Sequence, residues 1–270
     1  MSVIQKMHSL RWMVVLVAIA AGHIATSSSR AQTGAATNGA PLLVYTSDGF
    51  KPALQALIPQ IERALGRKVS PEFDASNVLQ KKIESGERFD VAILAAGNID
   101  ALISQGKLAA GTRAGLGRAG IGVGLRAGAP KPDIGTPEAM KRTLLSAHSI
   151  EFNRDGASAV HINEMVDRLG IAQEVKPKFV LVAAAGLPQM DVAAGKSEMV
   201  ITLIPEIKDF SGLELVGPLP GDLQSYINFS AAIAKDSPNQ ESSRALIKFI
   251  SSPSVIPTLK QVGIDPASER

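Results

Sequence analysis

The sequence predicts an α/β protein built as two domains, each a mostly parallel β-sheet flanked by helices. Two observations carry that expectation. Short runs rich in β-branched residues alternate with segments whose apolar residues recur at helical spacing, the pattern of βαβ units. The alternation also comes in two series, separated by a glycine-rich stretch, Gly115–Gly128, that reads as a crossover between domains; 270 residues are enough for two. The competing reading of that stretch is a loose strand within one domain.

The first strand is Leu42–Thr46, an apolar run of the kind buried on both faces. In the helix expected near 50–65, Leu54, Leu57, Ile58, Ile61 and Leu65 recur at i, i+3, i+4 and i+7 spacing and line one face. Strand 68–73, a helix near 76–85, strand Asp90–Leu94 and a helix near 97–105 complete the first series. The second opens at Thr136-Pro137, an N-cap followed by proline at the first helical position. Strand Ser149–Phe152, helix 158–169, strand 177–182, a helix near 184–194 and strand Glu198–Leu203 follow. Near the end, Ile227–Ala234 reads as a strand and Ser237-Pro238-Asn239-Gln240 as a capping-box start, with Ala245, Leu246, Phe249 and Ile250 on the inner face of its helix. Ser252-Pro253 caps a last short helix reaching Lys260.

Charge and composition narrow the function. The chain carries 28 Lys+Arg against 25 Asp+Glu, a formal charge of +3. Residues 1–31 hold Lys6, Arg11 and Arg30 and no acid, and Trp12–Ala25 is an almost unbroken apolar run. Ser29 and Ala31 supply the small-x-small pattern of a signal-peptidase site, which predicts a signal peptide cleaved after Ala31. The apolar run is shorter than the ~20 residues of a membrane span. Without those three cations the mature chain is neutral, with 25 charges of each sign, so the excess charge belongs to export and nucleic-acid binding loses its support. No cysteine is present, which removes disulfides, thiolate metal sites, a cysteine nucleophile and a lipidated cysteine anchor. His148 and His161 are the only histidines left after cleavage, which leaves little room for a zinc or manganese site, and no cofactor is expected. With no tryptophan left, an aromatic sugar or amine cage is a poor fit. Residues 32–40 are small and polar and read as a disordered lead-in.

In open parallel sheets, ligands bind beyond the carboxyl ends of strands, near helix N-termini that favour anions. Three short polar turns occupy such places: Thr46-Ser47-Asp48-Gly49, Asp74-Ala75-Ser76-Asn77 and Asn153-Arg154-Asp155-Gly156-Ala157-Ser158. Taken singly, each is as well explained by N-capping. Three together, from both series, mark a candidate cleft.

These residues also carry a family resemblance. The run Leu42–Phe50, the block from Ser76 to Ala95, Gly156-Ala157-Ser158 with Arg168-Leu169-Gly170, Val192–Glu198, and the tail from Phe249 to Ile264 resemble, in that order, the molybdate-binding periplasmic solute-binding proteins of ABC importers. The resemblance implies a two-lobed periplasmic-binding-protein type II fold with a two-crossover hinge: lobe 1 from 41–120 and a return segment 226–270, lobe 2 from 121–225. It further implies a soluble periplasmic monomer that closes on a small anion, molybdate or tungstate by family default, and presents it to an inner-membrane permease. The only metal would be that of the oxyanion itself.

Carried over by position, the family's ligand contacts fall on Gly49, Ser76, Ser158, Ala185 and Leu203. Relatives usually have a serine at the position of Gly49 and a tyrosine at that of Leu203, so two hydroxyl donors are missing here. Ser47, Asn77 and Arg154 are the candidate replacements. Arg154 fits either a two-pronged contact to a carboxylate or a solvated turn. Asp48 fits either an acceptor for a ligand hydroxyl or ammonium, or a cap for the helix beginning at 50. These departures make a small organic acid the main competitor to the oxyanion. His161 reads as a surface or core-edge residue. An enzyme is not expected: there is no Gly-x-Ser-x-Gly elbow and no P-loop. A ligand-sensing domain of a transcription regulator is the third class, and the N-terminal export signal argues against it.

Overall fold

A computed structural model describes residues 39–267. The expected signal peptide, its cleavage after Ala31 and most of the lead-in lie outside the described residues. Among the described residues, no helix is long and apolar enough to cross a membrane.

The first series runs β1 (Leu42–Ser47), α1 (Lys51–Leu65), β2 (Val69–Asp74), α2 (Ser76–Glu84), β3 (Val91–Ala95) and α3 (Ala96–Ser104). A long strand, β4 (Ala114–Arg126), leads to α4 (Pro137–Ser146), β5 (Ile150–Asn153), α5 (Ala159–Arg168), α6 (Ala172–Val175), β6 (Phe179–Val182), α7 (Leu187–Ala193), β7 (Met199–Leu203) and α8 (Ile204–Asp209). The chain ends with β8 (Leu213–Pro218), β9 (Tyr226–Ile233), α9 (Gln240–Ile250), α10 (Ile256–Val262) and β10 (Ile264–Pro266).

The α/β, two-lobed expectation holds. The ten strands form one array ordered β2-β1-β3-β9-β4-β7-β5-β6, with β8 and β10 also paired to β4, and the shared β4 divides it into a sheet on the β9 side and a sheet on the β7 side. β1, β2 and β3 pair in parallel, as do β5, β6 and β7, where helices carry the chain back to start each next strand. β4 and β9 enter antiparallel, so both sheets are mixed. The glycine-rich stretch proves to be one continuous strand. Its first half, to Gly120, pairs with β9, and its second half, from Ile121, pairs with β7. Glycine is required at Gly117 because β10 crosses close over it: a Cβ there would stand 2.5 Å from the Asp265 carbonyl oxygen.

Local signals explain most boundaries. In α1, Leu54, Leu57 and Ile61 are buried as the periodicity requires, each worth about 1.5–3 kcal/mol of apolar burial. Thr136 caps α4 through its Oγ1, which accepts the Ala139 amide at 3.1 Å. The capping box expected at Ser237 does not form. The α9 helix begins at Gln240; Ser237 Oγ accepts the Asn239 amide at 3.0 Å, short of the Gln240 amide the box requires, and donates to the buried Asp90 at 2.6 Å. Asp90 also accepts from the Leu43 amide and from Asn239 Nδ2, tying the α9 entry to β1. A buried carboxylate needs that many donors to offset its lost hydration. The short α8, β8 and β10 are elements the sequence reading did not anticipate.

Candidate functional site

The carboxyl ends of β1, β5 and β7, with the turn after β2, converge on one narrow cleft between the lobes. Of the residues singled out in the sequence, Ser47, Asp48, Ser76, Ser158 and Leu203 line it. Its free space is about 20 Å³, so anything larger than a water or two enters only as the walls part.

The three serines are not spent on capping. Ser47 precedes a 3-10 turn, Asp48–Phe50, and Ser158 precedes α5, and neither side chain makes a capping hydrogen bond. Ser76 Oγ accepts the Ala95 amide at 3.0 Å, linking the start of α2 to the end of β3 and leaving its hydroxyl proton available. All three are nearly fully buried. Hydroxyls at the starts of α2 and α5 make one side of the cleft a donor surface suited to an anionic group.

Asp48 does not cap the first helix. α1 starts at Lys51 without a side-chain cap, and the Asp48 carboxyl faces the cleft instead. Burial pushes it up to about 6, reinforced by the nearby Asp74 charge and opposed by Lys51. Facing the same cavity is a residue the sequence reading missed, Glu206 on α8. Burial raises its carboxyl to about 7, with the Asp48 charge adding to the rise. Thr202 Oγ1 and Gln189 Nε2 both donate to Glu206 Oε2, the latter at 3.0 Å, and these bonds with Lys51 limit the shift. Gln189 Oε1 is buried with no partner, in a side chain 6% exposed that also lines the cleft. The signal for these residues in the sequence was faint: Glu206 sits in a short Ile-Pro-Glu-Ile run after a strand, without the small polar residues that mark a binding turn.

Gly49 is buried behind the lining. A Cβ at this position would lie 2.4 Å from Leu203 Cδ1 and 2.7 Å from Phe229 Cζ. Leu203 and Phe229 thus fill the space a side chain at 49 would need. Asn77 and Arg154 line an adjoining outer depression that shares Gly156 and Ala157 with the cleft. Asn77 Nδ2 donates to the Asp155 carbonyl across the lobes at 3.3 Å, and its Oδ1 accepts from Asn98. Arg154 is mostly exposed and pairs with Asp155 at 3.6 Å. Ala185 is exposed and outside the lining, whereas its neighbour Gly186 is in it. His161 is half-buried beside Glu164, away from the lining.

A family model described as bacterial extracellular solute-binding protein matches residues 42–265. The chain is 27% identical over 231 residues to an aconitate isomerase of a Pseudomonas species, covering 83% of this chain and 87% of that protein. Among solved structures it resembles the periplasmic molybdate-binding protein of Azotobacter vinelandii (17% identity, TM-score 0.69, 83% of this chain and 98% of that one). It also resembles the sulfate-binding protein of Mycobacterium tuberculosis H37Rv (18% identity, TM-score 0.69, 85% and 88%). At these identities the structural likenesses speak to the fold.

Proposed function

The chain belongs to the bacterial extracellular solute-binding proteins, and from that premise we propose that its cleft captures a small organic polycarboxylic acid outside the cytoplasm. The segments 41–120 with 226–270 and 121–225 act as two lobes that part and close about the crossovers at β4 and β9, and the closed monomer delivers its ligand to an ABC permease.

One observation carries the choice of ligand: Asp48 and Glu206 share the cavity with the serine hydroxyls. An ionised carboxylate ~4 Å from a ligand charge opposes it by about 4 kcal/mol per charge pair at an effective dielectric near 20. A compact dianion such as molybdate or tungstate cannot place its charge away from them. An organic acid can, by setting a carboxylate against Ser47, Ser76 and Ser158 and its carbon skeleton, a hydroxyl or a protonated carboxyl against Asp48 and Glu206. The missing hydroxyls at Gly49 and Leu203 favour the same choice.

A second reading, an enzyme acting on the captured acid, is favoured by the likeness to an aconitate isomerase together with the two late-ionising carboxyls. Calorimetric titration with molybdate, tungstate, sulfate, citrate and both aconitate isomers tests the ligand class. Saturable heat from a polycarboxylic acid supports it. Saturation by molybdate or tungstate alone returns the protein to the oxyanion binders.

A further inference from the structure

We propose that the cleft is a proton-transfer site, in which Asp48 and Glu206 take a carbon-bound proton from an unsaturated polycarboxylic acid and return one at the other end of its allylic unit. The inference rests on the ligand class proposed above and goes beyond it by giving each carboxyl a chemical task.

The geometry supplies the parts. Asp48 comes from the end of β1, Glu206 from α8, and both reach one narrow cavity also lined by Gln189 of α7. Glu206 is held through one oxygen by Thr202 and Gln189, which fixes its orientation and leaves Oε1 free. Gln189 Oε1, buried and unpartnered, gives the cavity an acceptor awaiting a donor from a ligand. The Asp48 charge opposes ionisation of Glu206, Asp74 opposes ionisation of Asp48, and Lys51 favours ionisation of both. Burial lifts both carboxyls toward neutrality, to about 6 and about 7, so near neutral pH an ionised carboxylate stands beside a carboxyl that keeps its proton in part of the molecules. That is the protonation state a base and an acid need together.

In the step, a carboxylate oxygen removes a proton from the CH2 carbon beside a double bond and a ligand carboxylate. The electron pair moves into the allylic system, the double bond shifts by one carbon, and the protonated partner delivers its proton to the far carbon. Protons and electrons balance within the site, so no oxidant or reductant enters. Ser47, Ser76 and Ser158 would hold the ligand carboxylate on which negative charge develops.

The test is proton NMR of cis-aconitate with the purified protein in D2O. The expected result is carbon-bound deuterium together with the appearance of trans-aconitate. Asp48→Asn and Glu206→Gln should each slow both by roughly 10²–10⁴-fold when measured at cis-aconitate concentrations that calorimetry shows to saturate each variant. The wild-type rate should also fall on both sides of neutrality, a readout independent of whether either variant folds. Binding of cis-aconitate without any carbon exchange overturns this inference and leaves the capture reading standing, as does exchange with a flat pH profile or with unchanged rates in both variants. Absence of binding by every polycarboxylic acid overturns the capture reading itself.

Discussion

Replacing Glu206 with glutamine probes the electrostatics of the cleft with no ligand present. Glutamine keeps the shape and can still accept from Thr202 and Gln189 while losing the charge. The carboxyl is displaced from 4.5 to about 7 by folding, so the native state binds its proton more tightly than the unfolded chain does. Such a group costs no stability below the unfolded value, and its cost grows as pH rises, reaching its full size above the folded value. A rise of that size corresponds to about 3 kcal/mol above pH 7, of which about 2–3 kcal/mol develops between pH 5 and 8. Urea unfolding at half-unit pH steps reads it directly. Glu151, buried in β5 and also raised by desolvation, adds to the same trend in both proteins, so the difference between wild type and Glu206→Gln is the quantity to follow. The variant should gain about 2–3 kcal/mol relative to wild type on going from pH 5 to 8, or roughly 4–12 °C in Tm. Parallel stability curves would mean that Glu206 ionises in the fold as it does in water, and the half-protonated carboxyl pair would be lost with it.

Other outcomes follow from the same contacts. Ser158→Ala should weaken ligand binding by roughly 10- to 100-fold with little effect on stability, because its hydroxyl makes no capping bond; calorimetry and urea unfolding check the two halves. Ser76→Ala should weaken binding comparably and also cost about 1 kcal/mol of stability, since the Ala95 amide loses its acceptor. Gly49→Ser should destabilise by about 1–3 kcal/mol through its clash with Leu203 and Phe229, and adding Leu203→Ala should recover part of that in a double-mutant cycle. Asp90→Ala should cost about 3 kcal/mol or more, leaving the Leu43 amide and the Ser237 and Asn239 donors unpaired.

Much of the fold was legible because the periodicities are strong and local: the α1 face and the Thr136 cap are set by residues within a few positions of one another. Ser237 misled because the turn that leads into α9 is anchored by Asp90, 147 residues away, which accepts from both the Ser237 hydroxyl and the Asn239 side chain. The antiparallel entries of β4 and β9 depend on long-range pairing that no local pattern encodes. For the candidate cleft, residue type and place in a strand-to-helix turn picked out Ser47, Asp48, Ser76 and Ser158, which the fold brings to one lining. Arg154 and Asn77 lie on the same turns but turn outward, Arg154 to its chain neighbour Asp155 and Asn77 to Asn98 and, across the lobes, to the Asp155 carbonyl. Glu206 escaped notice because an isolated glutamate in an apolar run gains meaning only when Asp48, Thr202 and Gln189 are seen around it.

The most direct test of the carboxyl-lined cleft is a pair of calorimetric titrations at neutral pH, one with cis-aconitate and one with molybdate. The carboxyl pair predicts saturable one-to-one heat from the tricarboxylic acid, weakened by Ser158→Ala, and none from molybdate. Saturation by molybdate with silence from the acid would contradict the account.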